Sequence, residues 1–249
     1  MHRFRSRGLA SLGLLTLLAF LPGCPNPLVM GTPRTTPKGE ISHTVALEGV
    51  GVQAHDGGTN EDVTAFAPNL PTYEIRIGLA DWVDLGVRIA NLSTLGVDGK
   101  LNFVKTKFVD VAADPGFQLF YLSTGSGGAS TSIVGTYFHL PVLVGFNVAE
   151  PFSIVLSPGI TYGLVSSTAD SGSGSSAAQG TGGLLFRGGI GFNIRIGKGF
   201  AMHPEFAFSR SLEDEFGDII TLYNFGLGFK FGKLPDHSMA DAPPPPPAQ

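Results

Sequence analysis

The chain has 249 residues, with 16 Lys and Arg against 20 Asp and Glu for a formal net charge of −4, and only 14% of it is charged. Its scattered basic residues exclude a nucleic-acid surface, and a single cysteine excludes both an internal disulfide and a thiolate metal cluster. Mean hydropathy is +0.20, yet no apolar run after residue 24 reaches the roughly 20 residues of a membrane helix, so the chain reads as a packed soluble sheet protein or a membrane barrel.

Residues 1–23 read as a signal peptide: Arg3, Arg5 and Arg7 precede an apolar stretch from Gly8 to Leu21 that stops at Pro22. Leu21-Pro22-Gly23-Cys24 resembles a bacterial lipobox, with Pro22 where Ala, Ser or Thr is usual. The resemblance implies cleavage before Cys24 and acylation of its thiol by a chain such as palmitate. The alternative is a signal cleaved elsewhere, or not at all, with an incidental cysteine. Pro25 stands where an Asp would signal inner-membrane retention, so the resemblance further implies sorting to the outer membrane. Residues 24–40, rich in Pro and Thr and without periodicity, read as a lipidated, extended tether.

Residues 41–232 read as one domain written in period two. In "TYEIRIGLADWVDLGVRIA", Tyr73, Ile75, Ile77 and Leu79 alternate with Glu74, Arg76, Gly78 and Ala80. After a turn at Asp81, Val83, Leu85, Val87 and Ile89 alternate with Asp84, Gly86, Arg88 and Ala90. The same reading gives about ten strands (8 to 12): 41–54, 70–80, 82–91, 96–107, 116–123, 133–148, 152–166, 183–197, 199–210 and 218–232. Stretches such as "HDGGTNEDVTAFAPN", "STGSGGASTS" and "STADSGSGSSAAQGTGG" read as long loops at one end, and "AD", "AEP" and "GKG" as short turns at the other. Segment 108–115 is the least tidy of the short set. Short turns, long loops and an even strand count predict an all-β, antiparallel up-and-down transmembrane β-barrel. Residues 233–249 read as a disordered Pro-rich tail, placing both chain ends on the short-turn, periplasmic side.

Which face points outward is decided by how poor the polar face is. In "LFRGGIGFNIRIG" it holds only Arg187, Gly189, Gly191, Asn193 and Arg195, too few charges for a surface in water. Tyr73, Trp82, Phe152, Phe200 and Phe231, near strand ends, are candidates for interfacial girdles as well as for ordinary packing. The alternative is a periplasmic, lipid-anchored, lipocalin-like carrier of a small apolar ligand, with the apolar face inside.

"IRIGLADWVDLGVRIANLSTLGVDGKLNF" and "YFHLPVLVGFNVAEPFSIVLSPGITYGL" resemble hairpins of small Gram-negative outer-membrane β-barrel proteins, and together cover about a quarter of the chain. The final "ITLYNFGLGFKFG" is similar to the aromatic finish read by barrel-assembly machinery, although about 17 residues follow it. The resemblance implies residence in the outer membrane of a Gram-negative bacterium and passage through barrel-assembly and lipoprotein-processing machinery. Outer-membrane lipids are then its surroundings, and the protein is expected to be a monomer.

Eight strands leave an interior just filled by side chains, so ten predict a narrow or plugged lumen. Its inward polar candidates are Glu74, Arg76, Asp84, Arg88, Asp98, Lys100, Gln118, His139, Asn147, Arg187, Asn193, Arg195, Glu205, Asn224 and Lys230. The mix of signs reads first as a paired structural network, and second as a narrow solute path. His139 and His203, with Glu205 on the face of His203, and Ser153, Ser157 or Ser209 are the residues from which a catalytic set could be drawn. Nothing in the sequence fixes a base beside a nucleophile. Isolated histidines give no metal motif. The expectation is therefore a non-enzyme without metal or cofactor, in a structural, surface-interaction or narrow-pore role.

Overall fold

A strand with one apolar and one polar face needs a separate environment for each, and closing a sheet on itself supplies both. The computed structural model shows that closure over residues 26–56, 61–90, 93–126, 129–170, 176–212 and 220–235, which are the residues it describes. One antiparallel sheet holds thirteen strands. They are β1 (Ile41–Asp56), β2 (Glu61–Pro68), β3 (Thr72–Ala80), β4 (Val83–Ala90), β5 (Thr94–Lys105), β6 (Val109–Ala113) and β7 (Gly116–Ser126). There follow β8 (Ala129–Ala149), β9 (Phe152–Leu156), β10 (Gly159–Asp170), β11 (Ser176–Arg195), β12 (Phe200–Ser211) and β13 (Ile220–Gly232). No helix forms among the described residues. β13 pairs with β1 from Ser42↔Gly232 to Ala54↔Ile220, which closes the sheet.

Three staves of this barrel are broken in two. β2 and β3 share one side of β1, β6 and β7 both lie between β5 and β8, and β9 and β10 both lie between β8 and β11. Pro71, Pro115 and Pro158 stand at the three breaks, where a residue without an N–H cannot join the ladder. The carbonyls of Pro115 and Pro158 still accept from the N–H groups of Gly99 and Val142, so each stave continues across its break. The result is a closed, ten-stranded, up-and-down antiparallel barrel, the architecture that the alternation predicts.

Much of what reads as long loop is paired strand. The β1–β2 hairpin runs to Asp56↔Glu61, β7–β8 to Ser126↔Ala129 and β10–β11 to Asp170↔Ser176. Alternation is enforced only where the two faces meet different surroundings; hairpins that extend past that zone keep their ladder but lose the pattern. Segment 108–115 likewise contains β6.

The outer wall is apolar and open: Leu47, Ile77, Leu85, Leu95, Phe138, Leu140, Phe186 and Phe225 all point away from the barrel and are exposed. This reverses the alternative expectation of an apolar interior. At the short-turn end His43 Nδ1 lies 2.7 Å from the Tyr73 hydroxyl, its ring stacks on Phe231 at 5.4 Å, and Trp82 is 59% exposed on its turn. Phe200 is also exposed, while Phe152 is half-buried and stacks on Phe192 at 6.2 Å.

Candidate functional site

The inner face places charges in register. Glu74 stands opposite Arg88, Arg76 opposite Gly86 and Gly78 opposite Asp84, and on the next pair Asp84 faces Lys100 and Gly86 faces Asp98. Gly86 leaves the space in which Arg76 meets Asp98: a Cβ there would stand 2.9 Å from Arg76 Nη1 and 2.8 Å from Asp98 Oδ2. Arg76 consequently reaches four carboxylates, Glu74 at 2.7 Å, Asp84 at 2.7 Å, Asp98 at 2.6 Å and Asp114 at 3.2 Å. Arg88 holds the other oxygen of Glu74 at 3.1 Å, and Lys100 lies 4.0 Å from Asp84. Charges cut off from bulk water persist only when compensated in this way.

The lumen is also occupied by the chain itself. The stretch expected to be an extended tether outside the barrel instead runs through it, with Pro27 to Thr36 all buried. Lys38 bridges to Gly78 and Thr35 Oγ1 donates to the Asp81 carbonyl, which fixes entry at the short-turn end. Further in, the Arg34 Nε donates to Asp110 at 2.6 Å and the Asn102 amide to the Pro33 carbonyl at 3.0 Å. The two oxygens of Glu205 accept the N–H groups of Val29 (3.0 Å) and Met30 (2.6 Å). Arg88 donates to the carbonyls of Leu28 (2.7 Å) and Val29 (3.0 Å), and Arg187 to that of Pro27. The Asn26 amide reaches Glu48 at 2.7 Å, and Glu48 is the eighth of the sixteen residues of β1, halfway up the barrel.

Glycines in the wall trace the same path. A Cβ on Gly226 would overlap the methyl end of Met30, one on Gly145 would stand 2.9 Å from the Pro33 ring, and one on Gly78 would overlap the carbonyls of Thr36 and Pro37. Composition could not separate this segment from a solvated linker, because both are Pro-rich and aperiodic. The signal that was available is the apolar triplet Leu28-Val29-Met30 together with the low charge of the stretch from residue 25 to 37.

Glu74, Arg76, Asp84, Arg88, Asp98, Lys100, Gln118, Asn147, Arg187, Asn193, Glu205 and Asn224 are buried on the inner face. His139, Arg195 and Lys230 are half-buried there. His139 sits over Gly116, Arg195 donates to the Leu234 carbonyl at 3.3 Å, and Lys230 lines the narrow space beside Thr32 and Leu234. Sequence reasoning missed Glu48, Asp110, Asp114 and Arg34. Glu48 is legible in the alternation of "TVALEG", whereas Asp110 and Asp114 lie in the segment whose pattern a proline disrupts. His203 lies 3.5 Å from Glu205, but Glu205 is taken by two main-chain amides. The hydroxyls of Ser153, Ser157 and Ser209 make no hydrogen bond in the structure, so none of the three is linked to His203. Among the described residues no three His, Cys, Asp or Glu side chains are grouped to hold a metal ion. Cys24, the signal segment and residues 236–249 lie outside the described residues, whereas Leu234 is buried at the mouth of the barrel.

No protein-family model matches the chain, and no curated protein matches it in sequence. Among solved structures, the chain is similar to the outer membrane protease OmpT from Escherichia coli, with a TM-score of 0.49 and 8% identity over 80% of this chain and 98% of that one. It is similar also to the attachment invasion locus protein Ail of Yersinia pestis, solved with the heparin analogue sucrose octasulfate, with a TM-score of 0.41 and 12% identity over 78% and 99%. A third is the translocator domain of the autotransporter NalP from Neisseria meningitidis, with a TM-score of 0.42 and 13% identity over 90% and 95%. At this distance none of them assigns a ligand or an activity to the present chain.

Proposed function

We propose that the protein is a closed outer-membrane β-barrel with a structural and surface-interaction role, its lumen sealed at rest by residues 26–37. The observation that carries this reading is the filled lumen: one extended stretch of the chain occupies the cross-section that ten strands leave beyond eight, and Glu48, Asp84, Arg88, Asp110, Arg187 and Glu205 of the wall all bond to it. The apolar outer face supports a hydrocarbon setting, and the short-turn end would then face the periplasm. Engagement of Glu205 by the segment supports a non-catalytic role. Outer-membrane lipids and the barrel-assembly machinery are the partners this reading requires, and closure of the sheet by β1 and β13 of one chain favours a monomer.

Protein refolded from residue 24 onward, without lipid on Cys24, is expected to run as a heat-modifiable band and to be electrically silent in a planar bilayer. Steady single-channel currents from the folded band would overturn the sealed-lumen reading and favour the narrow pore.

Acylation of Cys24 rests on the lipobox resemblance and is proposed on that ground. Mass spectrometry of the mature N-terminus from cells, with Cys24→Ser as control, is expected to show the acylated mass; an unmodified N-terminus would remove the lipoprotein reading.

A further inference from the structure

We propose that the lumen is a binding site for an extended peptide, read mainly through the peptide's main chain, and that residues 26–37 are its resident but displaceable ligand. The proposal rests on the sealed-barrel reading and adds that the seal is exchangeable.

Three observations carry it. First, the wall addresses the segment chiefly through backbone groups. Glu205 takes two consecutive N–H groups, those of Val29 and Met30, while Arg88 takes two consecutive carbonyls, those of Leu28 and Val29. One dipeptide unit is thus clamped from both sides by charge-assisted hydrogen bonds, the stronger class. Asn102, Arg187 and Asp84 add bonds to the Pro33 carbonyl, the Pro27 carbonyl and the Thr36 N–H. Between Asn26 and Pro37, side chain joins side chain at Asn26–Glu48, Arg34–Asp110 and Thr36–Ser42.

Second, the segment is not part of the wall. It adds no strand to the sheet, and β1 and β13 close the barrel without it. Its connection to β1 is Lys38, Gly39 and Glu40, all exposed at the short-turn end, with Gly39 at a φ of 75°. Withdrawal toward that end requires no staves to part.

Third, the seat is over-determined at one point. Met30 holds a φ of 52°, a left-handed conformation that is unfavourable for a side chain bearing Cβ. It is kept there by the Glu205 bond to its N–H and by the space above Gly226 and Gly228, where a Cβ on Gly228 would stand 3.2 Å from the Met30 sulfur. Local strain retained by surrounding contacts is what a latch needs: once Glu205 or the glycine seat is lost, Met30 relaxes out of it.

The test lets the whole chain fold before the segment is freed. A specific protease site is inserted between Lys38 and Gly39, the full protein is folded and cut, and the released segment is washed out in detergent and followed by mass spectrometry. The washed barrel is expected to conduct in a planar bilayer where the uncut barrel is silent. A synthetic peptide of residues 26–37 added from the short-turn side is expected to close it. The same peptide N-methylated at Val29 and Met30, which cannot donate to Glu205, is expected to block at least about tenfold more weakly. A segment that stays bound through the wash, a washed barrel that stays silent, or equal block by the methylated peptide would each overturn the proposal. Conduction by the uncut barrel would instead overturn the sealed-barrel reading beneath it. Full-length Glu205→Ala provides the independent variant: brief openings are expected from it, and complete silence in a heat-modifiable band counts against the latch.

Discussion

At the scale of single residues, Arg76 is the group on which the inner wall depends. Its guanidinium lies within 3.2 Å of Glu74, Asp84, Asp98 and Asp114, and all five are buried. Truncating it would leave four carboxylates facing one another, with Arg88 on Glu74 and Lys100 near Asp84 as partial offsets. Breaking a buried pair by removing one partner costs about 3–5 kcal/mol, because the remaining charge is uncompensated. Arg76→Leu is therefore expected to destabilise the barrel by at least about that amount. The sole tryptophan, Trp82, sits on the adjoining turn and gives a direct readout. Urea titration of the protein in lipid vesicles, followed by its emission, should show the shift, and a loss below about 1 kcal/mol would mean that water screens the network.

At the scale of elements, stability should fall along each stave toward the long-hairpin end. Tyr162 and Gly163 pair on both sides with β8 and β11 inside the apolar zone, whereas Thr168 and Ala169 pair with the same two strands near the tip, opposite Ser132, Thr131, Ala178 and Ala177. Amides with few buried apolar contacts around them open at lower free energy. Hydrogen exchange is expected to be faster at Thr168 and Ala169 than at Tyr162 and Gly163, and uniform protection along β10 would contradict this. The same contrast explains what was legible in the sequence. Strand pairs such as β3–β4 and β12–β13 were readable because hydrocarbon and lumen impose opposite demands on alternate residues. The hairpin tips were not readable, since neither face there is constrained, and segment 26–37 was not, since a chain bound through its backbone leaves little trace in its side chains. Alternation alone puts Glu74, Arg76, Asp84 and Arg88 on one face, where they are buried, whereas Asp110, Asp114 and the occupant of the lumen had to be seen.

At the scale of the whole molecule, the distribution of apolar surface separates a membrane barrel from a soluble carrier. A carrier would keep Leu140, Phe138 and Phe225 inside around a ligand; here they are outside and 44%, 50% and 50% exposed, around an interior of ion pairs and backbone. Leu140 is near the middle of β8 and flanked by Phe138 and Val142 on the same face. In a bilayer, Arg at such a depth costs about 2–4 kcal/mol, whereas on a water-facing wall the change would stay within about 0.5 kcal/mol. Leu140→Arg is expected to lower the unfolding free energy in vesicles by the larger amount, with Leu140→Phe close to neutral as the control for packing. Because the inner face is untouched by either substitution, the sealed lumen should remain silent in both variants, so a loss of stability without new conductance would locate the effect at the lipid face. An Arg tolerated at Leu140 as readily as Phe would show that this wall does not meet hydrocarbon.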